Sequence, residues 1–304
     1  MVFLPEGCGG AVISDMQQLL DAAANKRICK ANALLCDRDH NIIVDLGFIK
    51  GVIPRQEGAF SPFGEVKDIA VISRVGKPIC FTVKGIAHDS SSVAYALLSR
   101  REAMQICFDN YVSALQKGDV ICGRVTRTDS FGAFVDIGCG LVALLPIDAI
   151  SVSRISHPAD RFYVGQDIMA VISDISPEGR VSLTHKELLG TWEENAAPFE
   201  VGQTVSGIVR SVEDYGVFVE LTPNLAGLAE PSEVAVCGEC VSVYIKSIIP
   251  EKMKIKLVII DKATCLPHPA SFSYPQVTHI NYWRYSPANS KKVVESDFTV
   301  QRDL

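Results

Sequence analysis

Between Lys117 and Lys186 the chain alternates short apolar runs with polar turns. Runs rich in β-branched and apolar residues, separated by turn residues, are typical of β-strands. A polar turn at 128–130 separates the first two runs, which indicates a hairpin. The runs lie at 120–125, 131–137, 141–145, 168–172 and 181–183. Five short strands in about seventy residues match a small Greek-key barrel of the OB type.

This pattern recurs on both sides. Downstream, residues 201–221 repeat the opening hairpin, with Tyr215 and Phe218 in the places of Phe131 and Phe134. Upstream, residues 38–47 match the same hairpin more weakly. The spacing of about 80 to 90 residues is too long for a solenoid unit, so it predicts separate barrels in series.

We therefore predict a mainly β protein of three tandem five-stranded OB-type barrels joined by short helices. Helical periodicity at 14–24, 99–116 and 186–194 supplies the helices. The predicted parts are an N-terminal helix and extension at 1–25, a degenerate barrel at 26–99, a linker helix at 100–116, a barrel at 117–187, a linker at 188–199, a barrel at 200–262 and a C-terminal tail at 263–304 that contains a hairpin.

Four motifs of the second repeat resemble one known domain family. They are Gly-x-Val-Thr-Arg at 123–127, Phe-Gly-Ala-Phe-Val-Asp-Ile-Gly at 131–138, Val-Gly-Gln-Asp at 164–167 and Gly-Arg-Val-Ser-Leu at 179–183. Together they resemble the S1 RNA-binding domain, and the layout of residues 12–262 is similar to short bacterial members of the ribosomal protein S1 family. The resemblance implies OB-type barrels that bind single-stranded RNA without catalysis, in association with translation or the small ribosomal subunit.

The net charge of −6 argues against a purely electrostatic grip on nucleic acid. Residues 117–187 have seven lysines and arginines against nine acidic residues, and residues 200–262 have six against nine. Affinity would therefore have to come from stacking, at roughly 1–3 kcal/mol for each base, together with a few placed cations.

The best candidate RNA-binding site lies in the second barrel. Phe131 and Phe134 would offer ring faces, and a bulge at the Gly132-Ala133 pair would turn both rings toward one face of the sheet. Arg180 would lie on the polar face of the last strand, where it can meet a phosphate or stack on a base. Burial of one or both rings in the core is the alternative. Further cationic candidates are Arg124 and Arg127.

The third barrel repeats this arrangement with Tyr215 and Phe218. Lys254 and Lys256 share one face of its last strand, and Lys254 takes the place of Arg180. A lysine face that only aids solubility is the alternative. Arg210 is a weaker cationic candidate.

Both barrels depart from the family pattern at other positions. Family members often have a histidine on the third strand, where this chain has Pro146 and Glu230. An acidic residue expected four positions before Arg180 is Ser176. The resemblance therefore covers only part of the family site.

The first barrel is not expected to bind RNA directly. His40 and Ile43 stand where the later repeats have aromatic rings, and Ala94 stands near the position of Arg180. Docking to protein is the alternative use of this barrel. The helix at 14–24 is expected to pack on it, and the family resemblance suggests a ribosomal docking helix instead.

Two aromatic segments outside the barrels have packing interpretations. Trp192 in the second linker is expected to anchor neighbouring domains rather than to stack on RNA. In the tail, Trp283, Arg284 and Tyr285 could form a further stacking surface, but a hairpin packed on the third barrel fits the pattern better.

A zinc site is a separate hypothesis for the third barrel. A pair of cysteines and a Cys/His pair each have the spacing of zinc ligands, and the two pairs are about 25 residues apart. The first pair also aligns with residues 164–167, where no metal is needed, so ordinary strand residues are the alternative. The four residues are Cys237, Cys240, Cys265 and His268.

The remaining features favour a binding protein in the cytoplasm. The ten cysteines are scattered and several lie in predicted strands, which suits reduced thiols better than a disulfide framework. The chain has no signal-peptide pattern, no run of 18 apolar residues, no phosphate-binding glycine loop and no nucleophile elbow. We therefore expect no enzyme activity, no cofactor and no membrane association.

Two functional hypotheses follow. The first is single-stranded RNA binding of low sequence specificity, with mRNA-like RNA and small-subunit proteins as partners. The second is a protein-interaction scaffold on the ribosome or an RNA-processing assembly, with vestigial RNA faces. Titration of an oligouridine and co-sedimentation with small ribosomal subunits distinguish the two.

Overall fold

Three closed five-stranded barrels follow one another along the chain, which confirms the predicted fold class. The computed structural model describes residues 3–62, 64–264 and 272–299. The barrel strands fall inside the ranges 26–99, 117–187 and 200–262. The strands of the first barrel are β1 (Cys29–Cys36), β2 (Ile42–Asp45), β3 (Lys50–Ile53), β4 (Pro78–His88) and β5 (Ala94–Ser99).

The later barrels repeat the same topology. In each, the fifth strand lies between the third and the fourth and pairs in parallel with the third. The second barrel consists of β6 (Val120–Asp129), β7 (Gly132–Gly138), β8 (Leu141–Pro146), β9 (Asp167–Ile175) and β10 (Val181–Thr184). The third consists of β11 (Thr204–Glu213), β12 (Gly216–Thr222), β13 (Leu225–Ala229), β14 (Cys240–Ile249) and β15 (Lys254–Lys262).

Helix α1 (Met16–Ala24) precedes the first barrel, α2 (Asp68–Ile72) lies within it, and α3 (Arg100–Asn110) and α4 (Trp192–Ala196) connect successive barrels. All but α2 begin at a side-chain cap. Asp15 accepts a hydrogen bond from Gln18 N at 2.8 Å, and Ser99 Oγ accepts one from Glu102 N at 2.8 Å. A capping box formed by Thr191 and Glu194 starts the second linker helix.

The hydrophobic core divides into two parts. Barrels 1 and 2 share one continuous cluster with α1 and α3. Barrel 3 has its own cluster, which includes Trp192 from α4 together with Trp283 and Tyr285 from the tail. All three aromatic side chains are buried, so they serve packing and offer no surface for stacking on RNA.

A buried ionic cluster joins barrels 1 and 2. Arg100, at the start of α3, holds the Glu6 carboxylate with two contacts of 2.7 and 3.0 Å. The backbone N–H of Glu6 donates to Asp136 Oδ2 at 2.8 Å, at the end of β7. Burial alone would raise the pKa of Glu6, but Arg100, with Arg74 and the Cys80 N–H, outweighs burial and holds that pKa low. Burial and the Glu6 charge raise the pKa of Asp136 to about 7.

The junction between barrels 2 and 3 uses the equivalent position. Glu220 lies at the same place in β12 as Asp136 in β7, and it is buried. Arg161 of barrel 2 pairs with it, and Arg210 adds contacts of 2.8 and 3.0 Å. Asp45 is the equivalent residue in barrel 1, and it is exposed.

The tail spans barrels 2 and 3. Its strands β16 (Tyr282–Arg284) and β17 (Glu295–Asp297) form an antiparallel pair. Just before them, Thr278 O accepts from Val120 N at 2.9 Å, and Ile280 N donates to Gly118 O at 2.8 Å. The Tyr285 hydroxyl donates to the Asn224 carbonyl in barrel 3. The tail therefore lies along the start of β6 and against the third barrel.

One buried histidine fixes the tail to barrel 2. His185 packs among Phe162, Phe272 and Tyr274. Its Nδ1 donates to the Ile150 carbonyl at 3.1 Å, which leaves Nε2 as the acceptor facing the Tyr274 hydroxyl at 3.0 Å. Burial lowers the pKa of His185 from its ordinary value of 6.5 to about 4, so the ring is neutral at pH 7.

Replacing Glu220 with leucine should destabilise the protein strongly. The change leaves Arg161 buried without its carboxylate and Arg210 with Asp160 alone, and we expect the free energy of unfolding to fall by about 3–5 kcal/mol. The matched control Asp45→Leu changes an exposed residue at the same place in the repeat. This control should change the free energy of unfolding by only about 0.5 kcal/mol. Equilibrium urea unfolding measures the free energy of unfolding of both variants. An equal decrease in the two would contradict the burial of Glu220 and the exposure of Asp45.

His185 should make stability depend on pH below neutrality. The unfolded chain takes up a proton below pH 6.5, whereas folded His185 stays neutral to about pH 4. The stabilisation by His185 is therefore complete above pH 6.5 and declines toward pH 4, by up to about 1.4 kcal/mol per pH unit.

Urea unfolding of the wild type and of His185→Phe between pH 7 and pH 4.5 isolates the contribution of His185 to this pH dependence. The raised pKa of Asp136 acts in the opposite direction over this range, since the folded form binds the extra proton. Asp136 is present in both proteins, so its effect cancels in the difference. If the difference in free energy of unfolding between the two proteins does not change with pH, His185 is not a buried neutral ring.

Candidate nucleic-acid interface

A row of side chains crosses four strands on the outside of barrel 2. Strand pairing aligns Arg127 with Phe134, Phe134 with Leu144, and Leu144 with Ser182. Directly paired residues share one face of a sheet. Val135, the next residue along β7, is fully buried, so the row faces outwards. We call this set the Phe134 row.

The row depends on a bulge in β6. The pairing shifts between Val125 and Arg127, so that one extra residue in β6 brings Arg127 level with Phe134. The sequence predicted a bulge at Gly132-Ala133 in the facing strand, and this was wrong. Gly132 is required for another reason, because a Cβ there would lie 2.5 Å from the Leu145 carbonyl oxygen.

Phe131 and Phe134 form an aromatic pair on this face. Their ring centroids are 5.8 Å apart and their planes meet at 89°, an edge-to-face contact. Phe131 is 53% exposed in the turn, and Phe134 is half-buried. Arg127 Cζ lies 4.5 Å from the Phe134 centroid, and the guanidinium also pairs with Asp129. The face therefore combines one open ring with a ring that contacts a cation.

Arg180 is exposed on the same side of the last strand. Val181 and Leu183 are buried, so alternation places Arg180 and Ser182 outwards, as the sequence predicted. The backbone N–H of Arg180 donates to Ser176 Oγ at 3.1 Å, which fixes the turn before β10. Ser182 completes the Phe134 row, two residues after Arg180.

Barrel 3 has the equivalent row in the same register. Ser211 aligns with Phe218, Phe218 with Leu228, and Leu228 with Lys256, and we call this the Phe218 row. Tyr215, in the turn before β12, is 68% exposed, and its ring centroid is 6.2 Å from that of half-buried Phe218 at 87°. The cation of this row is at its β15 end, whereas that of the Phe134 row is at its β6 end.

The last strand of barrel 3 alternates as predicted. Ile255 and Leu257 are buried, while Lys254 and Lys256 are exposed on the outer face. The register places Lys254 level with Arg180 of the second barrel, because Lys256 and Ser182 occupy the same place in their rows. Both barrels therefore present a cation at this position.

Two other predicted cations are engaged elsewhere. Arg124 makes a bidentate pair with Asp167 at 2.7 and 2.9 Å, and its hydrogen bonds lower the pKa of Asp167. Arg210 is bound to Glu220 and lies 3.3 Å from Asp160, with only a tenth of its side chain exposed. The structure does not bring either residue into a row, and both arrangements depend on contacts that the local sequence does not show.

Barrel 1 has an aliphatic row in place of the aromatic one. Leu35, Ile43, Val52 and Leu97 occupy the four positions. The register places Tyr95 at the position of Arg180, one residue away from the predicted Ala94. His40 lies at the turn position as predicted, 3.5 Å from Asp68. The sequence located this position only approximately, because the degenerate repeat has no motif to fix its alignment.

The third-strand positions lack a histidine in the structure as in the sequence. Pro146 pairs with Gly132 at the end of β8, and Glu230 lies 3.6 Å from Lys246.

The zinc hypothesis falls partly outside the described residues, since these do not include Cys265 and His268. Cys237 Sγ lies 3.1 Å from the Arg210 carbonyl oxygen, and Cys240 is disulfide-bonded, so its sulfur is not a thiolate ligand. Within residues 3–62, 64–264 and 272–299, no group of three or more histidine, cysteine or acidic side chains is placed to hold a metal ion.

The chain has clear similarity to known RNA-binding domains and ribosomal proteins. The family model of the S1 RNA binding domain matches residues 114–186. Small ribosomal subunit protein bS1 of Leuconostoc lactis is 30% identical over 236 residues, which cover 71% of this chain and 52% of that protein. The bS1 protein of Staphylococcus aureus is 30% identical over 240 residues, 73% of this chain and 58% of that protein.

The chain spans a little over half the length of these two curated relatives. Among solved structures, a multidomain protein with nucleic acid binding domains from Streptococcus pneumoniae covers 79% of this chain and 75% of its own, at 14% identity and a TM-score of 0.26. That score is too low to support a functional argument. None of the helices in the described parts of the chain has the length and apolar character needed to cross a membrane.

Three observations agree on the family of the second barrel. Its topology is repeated along the chain, residues 129–138 form the aromatic hairpin, and the family model matches residues 114–186. The similarity to bS1 proteins extends beyond this one barrel to more than two thirds of the chain. Residues 114–186 therefore match the S1 RNA binding domain, and the chain is similar over more than two thirds of its length to the bacterial ribosomal protein bS1.

Proposed function

We propose that this protein binds single-stranded RNA with low sequence specificity through the Phe134 and Phe218 rows and the turn rings Phe131 and Tyr215 beside them. The observation that supports this most directly is the repeated pair of edge-to-face rings on the outside of two barrels, each with one ring more than half exposed. Open aromatic rings are the surfaces on which unpaired bases stack. Phe131, Phe134, Tyr215 and Phe218 are the stacking residues of this proposal.

Cations beside the rings would contact the phosphates. Arg127 and Arg180 serve barrel 2, and Lys254 and Lys256 serve barrel 3. Each barrel has only two such cations on an otherwise acidic module, so one barrel alone binds RNA weakly. Use of both barrels on one RNA strand raises the affinity. Arg124 and Arg210 have a structural role in this proposal, because their guanidinium groups are paired with Asp167 and Glu220.

The biological setting of the proposal is translation in the cytoplasm, on the small ribosomal subunit. The bS1 relatives support this setting, since their names place them in that subunit. Eight cysteines of the described residues have free thiols, which fits a reducing compartment, although Cys240 is disulfide-bonded. The proposal is one of binding without catalysis.

A second function, protein docking, is favoured for barrel 1 alone. Its aliphatic row of Leu35, Ile43, Val52 and Leu97 has no aromatic ring and no cation. Leu35, at the place of Arg127 in barrel 2, is 48% exposed, whereas Ile43, at the place of the ring, is buried, so the open apolar surface lies at the β1 end of the row.

Removing one open ring from each barrel should weaken RNA binding. The Phe131→Ala/Tyr215→Ala variant loses two stacking surfaces worth roughly 1–3 kcal/mol each, so we expect the Kd for a fluorescent oligouridine to rise by at least about 30-fold. Fluorescence anisotropy at low and moderate salt measures this.

The control for that variant is Tyr163→Ala. Tyr163 is as exposed as Phe131, at 53%, but it lies in the loop before β9 and belongs to neither aromatic pair. It should bind the oligouridine as wild type does. An unchanged Kd in the double variant, with the thermal transition intact, would show that the rings are not the binding surface.

Lysine substitutions should change the salt dependence of binding rather than its base preference. In Lys254→Gln/Lys256→Gln, two phosphate contacts are lost, so the slope of log K against log salt should become shallower by about 1.4. Lys291→Gln/Lys292→Gln removes two exposed tail lysines as a charge-matched control. If the slope of log K against log salt is the same in the wild type and in both double variants, the β15 lysines serve solubility alone.

A further inference from the structure

An ion pair lies beside the exposed ring of barrel 2, at the end of the β6–β7 hairpin. Asp129 pairs with Gly132 to close the hairpin, and it lies two residues before Phe131 in the turn. Arg127 donates to Asp129 from one guanidinium nitrogen and lies over the Phe134 ring. The Arg127 guanidinium and the Phe131 ring therefore contact the same half-buried ring from two sides of the hairpin end.

Most of the hydrogen-bonding capacity of this ion pair is free. Within the described residues, Asp129 is the only hydrogen-bonding partner of the Arg127 guanidinium, and the Asp129 carboxylate likewise has no other side-chain partner. The Arg127 and Asp129 side chains are 64% and 32% exposed. A guanidinium has several N–H donors, and a carboxylate has acceptor sites on both oxygens. The pair therefore presents donors and acceptors side by side to a ligand.

This combination suits the edge of a base better than it suits a phosphate. A phosphate at Arg127 would also approach the Asp129 carboxylate, and the two negative charges would repel each other. The edge of an unpaired base has hydrogen-bond donors and acceptors but no charge, so it can bind both members of the pair. Arg127 therefore has a role available beyond a phosphate contact.

Guanine matches the ion pair more completely than the other bases do. On the Watson–Crick edge of guanine, O6 accepts a hydrogen bond, and the adjacent N1–H and N2 amino groups donate. The Arg127 guanidinium can donate to O6 while the two carboxylate oxygens of Asp129 accept from N1–H and the amino group. Uracil, adenine and cytosine each have a single donor group on that edge, so each leaves one carboxylate oxygen without a donor.

Barrel 3 has the carboxylate of this arrangement but not the cation. In the register of β11 and β12, Glu213 takes the place of Asp129, and Ser211 takes the place of Arg127. A serine hydroxyl cannot replace the charged, forked donor of a guanidinium. The hairpin of barrel 3 therefore has an exposed ring, Tyr215, and a carboxylate, and it should stack on bases without favouring guanine.

We infer that Arg127 and Asp129 contact the edge of a base stacked on Phe131 and favour guanine at that one position of a single-stranded RNA. The inference rests on the proposed function, because the base must first stack on Phe131. It adds one selective contact to binding that is otherwise unselective, since the hairpin of barrel 3 has no guanidinium at this place.

Titration of the full chain with three fluorescent oligouridines tests this inference. The probes differ only in one central nucleotide, which is guanosine, adenosine as the purine control, or inosine, which lacks the N2 amino group. The Tyr215→Ala background removes the open ring of barrel 3, so that binding reports on barrel 2. In this background we compare Arg127→Ser, which introduces the barrel 3 residue, Arg127→Lys, which keeps the charge, and the near-isosteric Asp129→Asn. Anisotropy gives each Kd, and the thermal transition checks each fold.

We expect Tyr215→Ala to bind the guanosine probe at least about fivefold more tightly than the adenosine probe, with the inosine probe between them. Arg127→Ser and Asp129→Asn should make the three Kd values nearly equal. Arg127→Lys should lose most of the guanosine preference but keep the salt dependence, because it retains the charge without the fork. If Arg127→Ser does not fold, Asp129→Asn and the inosine probe decide.

The reciprocal change in barrel 3 supports the inference if it transfers the preference. Ser211→Arg in the Phe131→Ala background should bind the guanosine probe more tightly than the adenosine probe, whereas Phe131→Ala alone should not. Equal Kd values for all three probes in Tyr215→Ala, or a guanosine preference that survives Arg127→Ser, overturn the inference while RNA binding still stands. If the wild type binds none of the probes, the inference fails together with the proposed function.

Discussion

Burial of a carboxylate at the end of one strand is the constraint that orders the barrels. Asp136 and Glu220 are withdrawn from water, and an ion in such a place costs several kcal/mol unless its partners are held in good geometry. Backbone amides, arginines and the preceding barrel supply those partners. Each junction is therefore specific in position, because a shifted neighbour would leave a charge without a partner.

The same strands connect these junctions to the candidate RNA surface. Phe134 and Phe218 lie two residues before Asp136 and Glu220, so alternation puts ring and carboxylate on the same outer face of their strand. The preceding barrel covers the carboxylate end of that face and leaves the ring end open. Each aromatic row is thus bordered by the neighbouring barrel, and the junction limits how far the binding surface extends.

Much of this arrangement was predictable from local patterns, and the rest was not. The repeated hairpin motif identified Phe131, Phe134 and their counterparts, because the turn and the alternation around it are local. The engagement of Arg210 depends on Asp160 and Glu220, and that of Arg124 on Asp167, forty-three positions away. Such pairs form only once strands and barrels are placed. The β6 bulge was missed because its signal lies in the pairing of two strands and not in either strand alone.

The tail gives the chain a particular order of assembly. Residues 278–280 pair with the start of β6, and Tyr285 reaches the Asn224 carbonyl and the Trp192 amide at the following junction. Barrels 2 and 3 can each close as soon as their own strands have been synthesised, but these contacts form only when the segment after residue 272 has emerged. A nascent chain halted before that point would hold barrels 2 and 3 already closed but without the segment that fastens them together.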